Sequence, residues 1–121
     1  ATIRFVSSDI ESLRSILADR GSEVACVVMM PCEDDVTSVE HLRLVRDLTH
    51  SVGALLVFDE MRSGFRLSPG GAQEFFSVHA DLATFSKAMA NGYTISALTG
   101  SADVFEGLQS KDLVVGGNIY G

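Results

Sequence analysis

Basic residues are scarce in this chain of 121 residues, where 9 lysines and arginines stand against 16 aspartates and glutamates, a net charge of −7. So acidic a surface lacks the cationic patch that nucleic acid or an anionic membrane needs, and neither is expected as a partner. Long apolar runs are missing as well. The longest, Val24 to Pro31, has the length of a buried strand and falls far short of a spanning helix. Arg4, Ser7, Ser8 and Asp9 interrupt the start, so no signal peptide is expected there. Cysteine is nearly absent. Cys26 and Cys32 are too few and too widely spaced for a zinc knuckle, and they read as free thiols of a cytoplasmic protein. His41, His50 and His79 keep no metal-ligand spacing; surface or structural roles are expected for them, and no metal. Internal repeats, low-complexity tracts and flexible linkers are also lacking.

What is present is enough apolar material, 46% of residues, for a real core in one domain or part of one. Helical and strand-like patterns alternate, which predicts an α/β fold. After an extended start at Thr2 to Val6, Ser8 or Asp9 caps a helix with Ile10, Leu13, Ile16 and Leu17 on one face and Gly21 as its stop. Val24 to Met30 is a buried strand ended by Pro31. The acidic turn Glu33-Asp34-Asp35 carries solvated or helix-start charges. It leads to a helix capped by Thr37 or Ser38, with the stripe Val39, Leu42, Val45, Leu48 and Gly53 beyond its end. Ala54 to Phe58 is the next strand, Ser63 to Gly71 a loop, and Gln73 to Ser77 a short helical piece. Leu82 to Phe85 is a third parallel strand. Ala88 to Tyr93 is turn-like, and Thr94 to Thr99 returns too soon for a helical crossover, so it is expected antiparallel. Ala102 to Leu108 reads as a helix.

Two charges punctuate this pattern. Asp59 closes the run Ala54-Leu55-Leu56-Val57-Phe58, and Lys87 closes Leu82-Ala83-Thr84-Phe85-Ser86. If the two runs are neighbouring parallel strands, both side chains emerge at the carboxyl edge of one sheet, where open α/β sheets place their ligands. An amine able to form an imine and a carboxylate able to hold a protonated ring nitrogen are the pair that a pyridoxal-phosphate site needs. Either residue alone is more often a solvated or capping charge; the pair in its context is what points to function. Gly70-Gly71-Ala72 before a helix has amides that could bind an anion, but without the lysine and hydroxyl of a P-loop it reads as a turn. Glu60 reads as structural.

The segments Val57-Phe58-Asp59-Glu60-Met61-Arg62-Ser63-Gly64-Phe65-Arg66, Gly70-Gly71-Ala72-Gln73 and Ala80 through Lys87 to Asn91-Gly92-Tyr93 resemble the centre of class III pyridoxal-phosphate aminotransferases. Within that family the likeness is greatest to the glutamate-1-semialdehyde aminomutase branch, and it runs from about Asp9 to Gly100. The spacing of 28 residues between Asp59 and Lys87 agrees with that branch. The resemblance implies that these 121 residues are the central part of the large domain of a fold-type-I enzyme, with the N-terminal segment and the C-terminal small domain absent. The sheet would be mainly parallel with one antiparallel return strand. The parent reaction would be amino-group transfer or 1,2-amino migration on a small substrate, in a homodimer.

The resemblance assigns roles as well. Lys87 is implied as the catalytic lysine that bonds the cofactor and carries the substrate's proton; Asp59 is implied as the partner of the pyridine nitrogen. Met61 stands where the family usually has a valine against the ring face. Arg62 stands where glutamine or methionine is usual near the phenolic oxygen, and a cation there either bonds that oxygen or turns away. Asn118 stands near a family element whose hydroxyl reaches the partner subunit's cofactor phosphate, and it could donate a hydrogen bond in that place. Met30-Pro31 departs from the family's glutamate-proline.

Two other classes fit parts of the pattern. Asp34-Asp35, Asp59, Thr84 or Ser86, and Lys87 follow the order of a phospho-acceptor receiver domain. Only one helix fits between Asp35 and Asp59, however, and Gly70-Gly71-Ala72-Gln73 and Asn91-Gly92-Tyr93 have no role in such a domain. The chain could also be an inactive fragment or pseudoenzyme that acts as an interaction module through an unfinished sheet edge. The glycine-rich end, Gly116 to Gly121, directly after Leu113-Val114-Val115, suits a segment excised from a larger protein.

Overall fold

The computed structural model describes residues 1–32 and 38–108. Helix α1 spans Ile10–Arg20 and is capped by Asp9, whose carboxylate accepts the Glu11 N–H at 3.0 Å. It ends where the sequence places Gly21, though not through a left-handed turn. Gly21 keeps φ −54°, and a Cβ there would lie 2.6 Å from Cγ1 of Val52, so glycine serves a close approach between chain segments. Helix α2 spans Val39–Ser51 and is capped by Ser38, which accepts the His41 N–H at 3.1 Å. Thr37 and the acidic turn Glu33-Asp34-Asp35 lie outside the described residues.

Four strands, β1 (Cys26–Met29), β2 (Leu55–Asp59), β3 (Leu82–Phe85) and β4 (Ala97–Gly100), form one sheet in sequence order. β1, β2 and β3 run parallel, and β4 pairs antiparallel with β3, as its early return predicts. Between β2 and β3 lies a six-residue helix, α3 (Gly71–Phe76), and after β4 comes α4 (Ala102–Leu108).

The core lies on one face of the sheet. Val27, Met29, Leu56, Phe58, Ala83 and Phe85 point from the strands into a buried cluster with Leu13 and Leu17 of α1 and Leu42 and Val45 of α2. Full burial of each large side chain contributes about 1.5–3 kcal/mol. The alternate residues behave differently. Val28 is 57% exposed, Cys26 is exposed, and Leu55, Val57, Asp59, Leu82 and Thr84 are half-buried. This corrects the reading of Val24 to Met30 as a buried strand. The strand is shorter, and the described helices cover one face of it.

At the amino edge of the sheet, His50 Nε2 lies 2.9 Å from Asp81 Oδ2, which also accepts the Leu56 N–H at 2.7 Å. That link joins the end of α2 to the residue that opens β3, a structural use of the histidine. Both cysteines are free thiols. Among the described residues no helix is long and apolar enough to cross a membrane.

Candidate active site at the carboxyl edge of the sheet

The parallel register sets Asp59 beside Thr84, so the ends of β2 and β3 lie level. Asp59 alternates with the buried Phe58, which puts its carboxylate on the face away from the core. Its Oδ1 accepts the Met61 N–H at 3.0 Å and the Thr84 hydroxyl more distantly at 3.4 Å. Among the described residues nothing donates to Oδ2, and no cation pairs with this carboxylate. It is therefore an oriented, half-buried acceptor with one oxygen free.

Lys87 follows β3 and opens a short 3₁₀ turn, Lys87–Met89. Its backbone φ is +49°, a left-handed conformation that costs about 1–2 kcal/mol in a residue with a Cβ. The turn around it is fixed by the Met89 N–H to Ser86 O bond at 3.1 Å and the Ala90 N–H to Lys87 O bond at 3.2 Å. Ser86 Oγ donates to Ile95 O at 2.9 Å, closing the loop that carries Asn91 and Gly92. The lysine itself is exposed and makes no ion pair among the described residues. Backbone strain of this kind gathers at sites where the chain must aim a side chain.

Met61 is half-buried directly beyond Asp59. Arg62 is exposed and bonds to none of the described residues. Asn118 lies outside the described residues.

Glu60, read from the sequence as structural, is wholly buried, at 0% exposure. Its Oε2 accepts the Ser63 hydroxyl and, at 2.9 Å, the Ala72 N–H; its Oε1 accepts the Gln73 N–H at 2.9 Å. The amides at the start of α3 thus do bind an anion, through Ala72 and Gln73, and the anion is a side chain of the same protein; the Gly70 N–H goes to Glu74 Oε2 and the Gly71 N–H to Ser68 O. Gly71 makes room for the Glu60 carboxylate. Its φ is +74°, and a Cβ there would fall 2.7 Å from Oε2 of Glu60. Sequence reading missed Gly71, Ser63 and the Thr84 contact. The signal available was the Glu60-x-x-Ser63 spacing ahead of a double glycine that opens a helix.

A pyridoxal-phosphate site needs an amine for the cofactor's carbonyl and a carboxylate with a free oxygen for its ring nitrogen. Lys87, free of any ion pair among the described residues, and Asp59, with Oδ2 unbonded among them, fit that requirement.

Comparison with known proteins bears on the family of the chain. The 3-aminobutyryl-CoA aminotransferase of Cloacimonas acidaminovorans (strain Evry) is 42% identical over 113 residues, which are 88% of this chain and 27% of that protein. The glutamate-1-semialdehyde 2,1-aminomutase of Methanococcus maripaludis is 36% identical over 109 residues, 87% of this chain and 26% of that protein. Among solved structures, the PLP internal aldimine form of the FumI protein from Sphingopyxis sp. MTA144 superposes with a TM-score of 0.83 at 30% identity, covering 97% of this chain and 29% of that one. A β-phenylalanine aminotransferase from Variovorax paradoxus superposes with a TM-score of 0.78 at 26% identity, covering 98% and 28% of the two chains. The chain therefore spans little more than a quarter of the length of the curated relatives it matches. The family model described as Aminotransferase class-III matches residues 4–121, nearly the whole sequence, and with that match the phospho-acceptor alternative falls away. The chain belongs to the class-III aminotransferase family.

Proposed function

We propose that these 121 residues are the central part of the large domain of a pyridoxal-phosphate-dependent enzyme that moves an amino group, with Lys87 as the cofactor-bonding residue and Asp59 as the partner of its ring nitrogen. The observation that carries the reading is the level register of β2 and β3. It sets Asp59, with one oxygen unbonded, near the strained turn that presents Lys87.

When bound, the cofactor supplies an aldehyde carbon for the amino group and a ring that draws electrons from the substrate's α-carbon. Asp59 Oδ2 would accept the hydrogen bond of the ring N–H and favour the protonated ring nitrogen. Met61 N–H and Thr84 Oγ1 hold Oδ1 and so fix the plane of the carboxylate. Lys87 Nζ would hold the cofactor by its aldehyde carbon, and as a free amine it would carry the proton of the substrate α-carbon. Met61 would pack beside the ring, and Arg62 stands close enough in sequence to serve an anionic group there.

The relatives named above are an aminotransferase and an aminomutase, so the reaction class is amino transfer between small molecules or within one. A homodimer in the cytoplasm completes the reading. Resemblance to the family supports the dimer, and the two free thiols support the compartment.

Borohydride reduction of the protein mixed with pyridoxal phosphate, followed by peptide mass mapping, tests the assignment. Lys87 and Lys111 are the chain's only lysines, so the map is short. A single stoichiometric adduct at Lys87 is expected, lost in Lys87→Ala together with the visible absorbance of the bound cofactor. In the complete protein, labelling spread between Lys111 and other amines, or an unaltered spectrum in Lys87→Ala, would reject it.

A further inference from the structure

Glu60 is a carboxylate taken wholly out of water with no cation beside it among the described residues. Burying a charge in that way is costly unless hydrogen bonds replace its hydration, and an apolar residue would fill the same place without that cost. The three donors around it, Ser63 Oγ, Ala72 N–H and Gln73 N–H, provide the replacement. They also show what the carboxylate joins. Its side chain ties the end of β2 to the turn after it and to the first residues of α3, across a separation in sequence of 12 to 13 residues.

The main chain of Glu60 belongs to the same junction. Its N–H donates to Thr84 O at 3.0 Å, which levels β2 with β3, and its carbonyl accepts the Gly64 N–H at 2.7 Å, which closes the turn over residues 60–64. Met61 lies inside that turn, and its N–H is the shorter of the two hydrogen bonds on Asp59, at 3.0 Å. The direction of the Met61 N–H, and with it the rotamer of Asp59, is therefore set by a turn that Glu60 fastens at both ends.

From this we propose that Glu60 is the positioning residue of Asp59: buried beneath the sheet edge and touching no cofactor itself, it holds the 60–64 turn so that the Asp59 carboxylate meets the ring nitrogen. The inference rests on the reading of Asp59 given above. It also requires a carboxylate. Both oxygens accept from donors, so an amide at this place must turn its NH₂ toward a Ser63 or main-chain donor and lose at least one bond.

The test uses the complete protein loaded with pyridoxal phosphate and four variants: Glu60→Gln, Ser63→Ala, Asp59→Asn, and Ser38→Ala as a remote control that lowers stability alone. The readouts are the pH titration of the bound cofactor's visible absorbance, the cofactor's dissociation constant, and kcat and KM separately. Asp59→Asn shifts the titration. Glu60→Gln is expected to shift it in the same direction, to weaken cofactor retention about tenfold, and to lower kcat while KM for the amino donor stays within about twofold. Ser63→Ala, which leaves both amide bonds in place, follows in the same direction with a smaller shift, and Ser38→Ala shifts nothing. A Glu60→Gln protein that titrates like the parent while Asp59→Asn does not overturns the inference. Should Glu60→Gln not fold, an unmoved titration in Ser63→Ala overturns it instead. If Asp59→Asn itself leaves the titration unmoved, the role given to Asp59 is wrong and the inference fails with it.

Discussion

Gly71 and Gly53 form a matched pair for measuring what the buried carboxylate contributes. Both have left-handed backbones, at φ +74° and +77°, so alanine at either place meets the same backbone penalty, about 1–2 kcal/mol. A gain of about 0.4–1 kcal/mol from the stiffer unfolded chain offsets part of it. Their surroundings differ. A Cβ at Gly53 meets nothing within 4 Å, whereas at Gly71 it falls 2.7, 2.8 and 2.9 Å from Oε2, Cδ and Oε1 of Glu60. The carboxylate cannot retreat without breaking bonds to Ser63, Ala72 or Gln73, and losing one charge-assisted bond costs about 1.5–3 kcal/mol. Gly53→Ala should therefore cost about 1 kcal/mol and Gly71→Ala about 3 kcal/mol. With a urea m-value of about 2 kcal/mol/M, the two unfolding midpoints should differ by about 1 M. Equal midpoints would show that Glu60 yields freely and that its three bonds do not constrain the loop.

Phe58→Ala empties a fully buried site under the strand that carries Asp59 and should cost about 3–5 kcal/mol, read by the same urea titration. Ser38→Ala removes the cap of α2 and should cost about 1 kcal/mol, with no effect on bound cofactor. The Gly70 N–H, and after it the Ser68 hydroxyl, hold the Glu74 carboxyl below its ordinary pKa. A depressed pKa stabilises the fold above the ordinary carboxylate range and ceases to do so as pH falls through the lowered value. Amide exchange at Gly70 should therefore accelerate on acidification in the parent and be fast at all pH in Glu74→Ala, provided the comparison is corrected for intrinsic exchange.

The elements that sequence read well are those decided by neighbours along the chain. The caps, narrowed by sequence to Ser8 or Asp9 and to Thr37 or Ser38 and found at Asp9 and Ser38, the stripe of α2, the span Leu82–Phe85 and the helix Ala102–Leu108 follow from local periodicity and side-chain chemistry. Asp59 and Lys87 were legible for a related reason, since charge at the end of an apolar strand marks the sheet edge. The 28-residue spacing and the motifs around the pair then carried the family.

Sequence alone determined an acidic α/β segment with an amine and a carboxylate ending two strands, and it determined the family through those motifs. Tertiary structure decided what long-range contact decides. It brought Thr84 to Asp59 across 25 residues and packed the described helices on one face of the sheet, leaving Asp59 on the other. It also turned the Ala72 and Gln73 amides, at the start of the helix after the double glycine, onto Glu60. The physical reason is that a hydrogen-bond partner distant in sequence leaves no periodicity behind it. Its presence shows only when folding removes water from both groups and each must find the other.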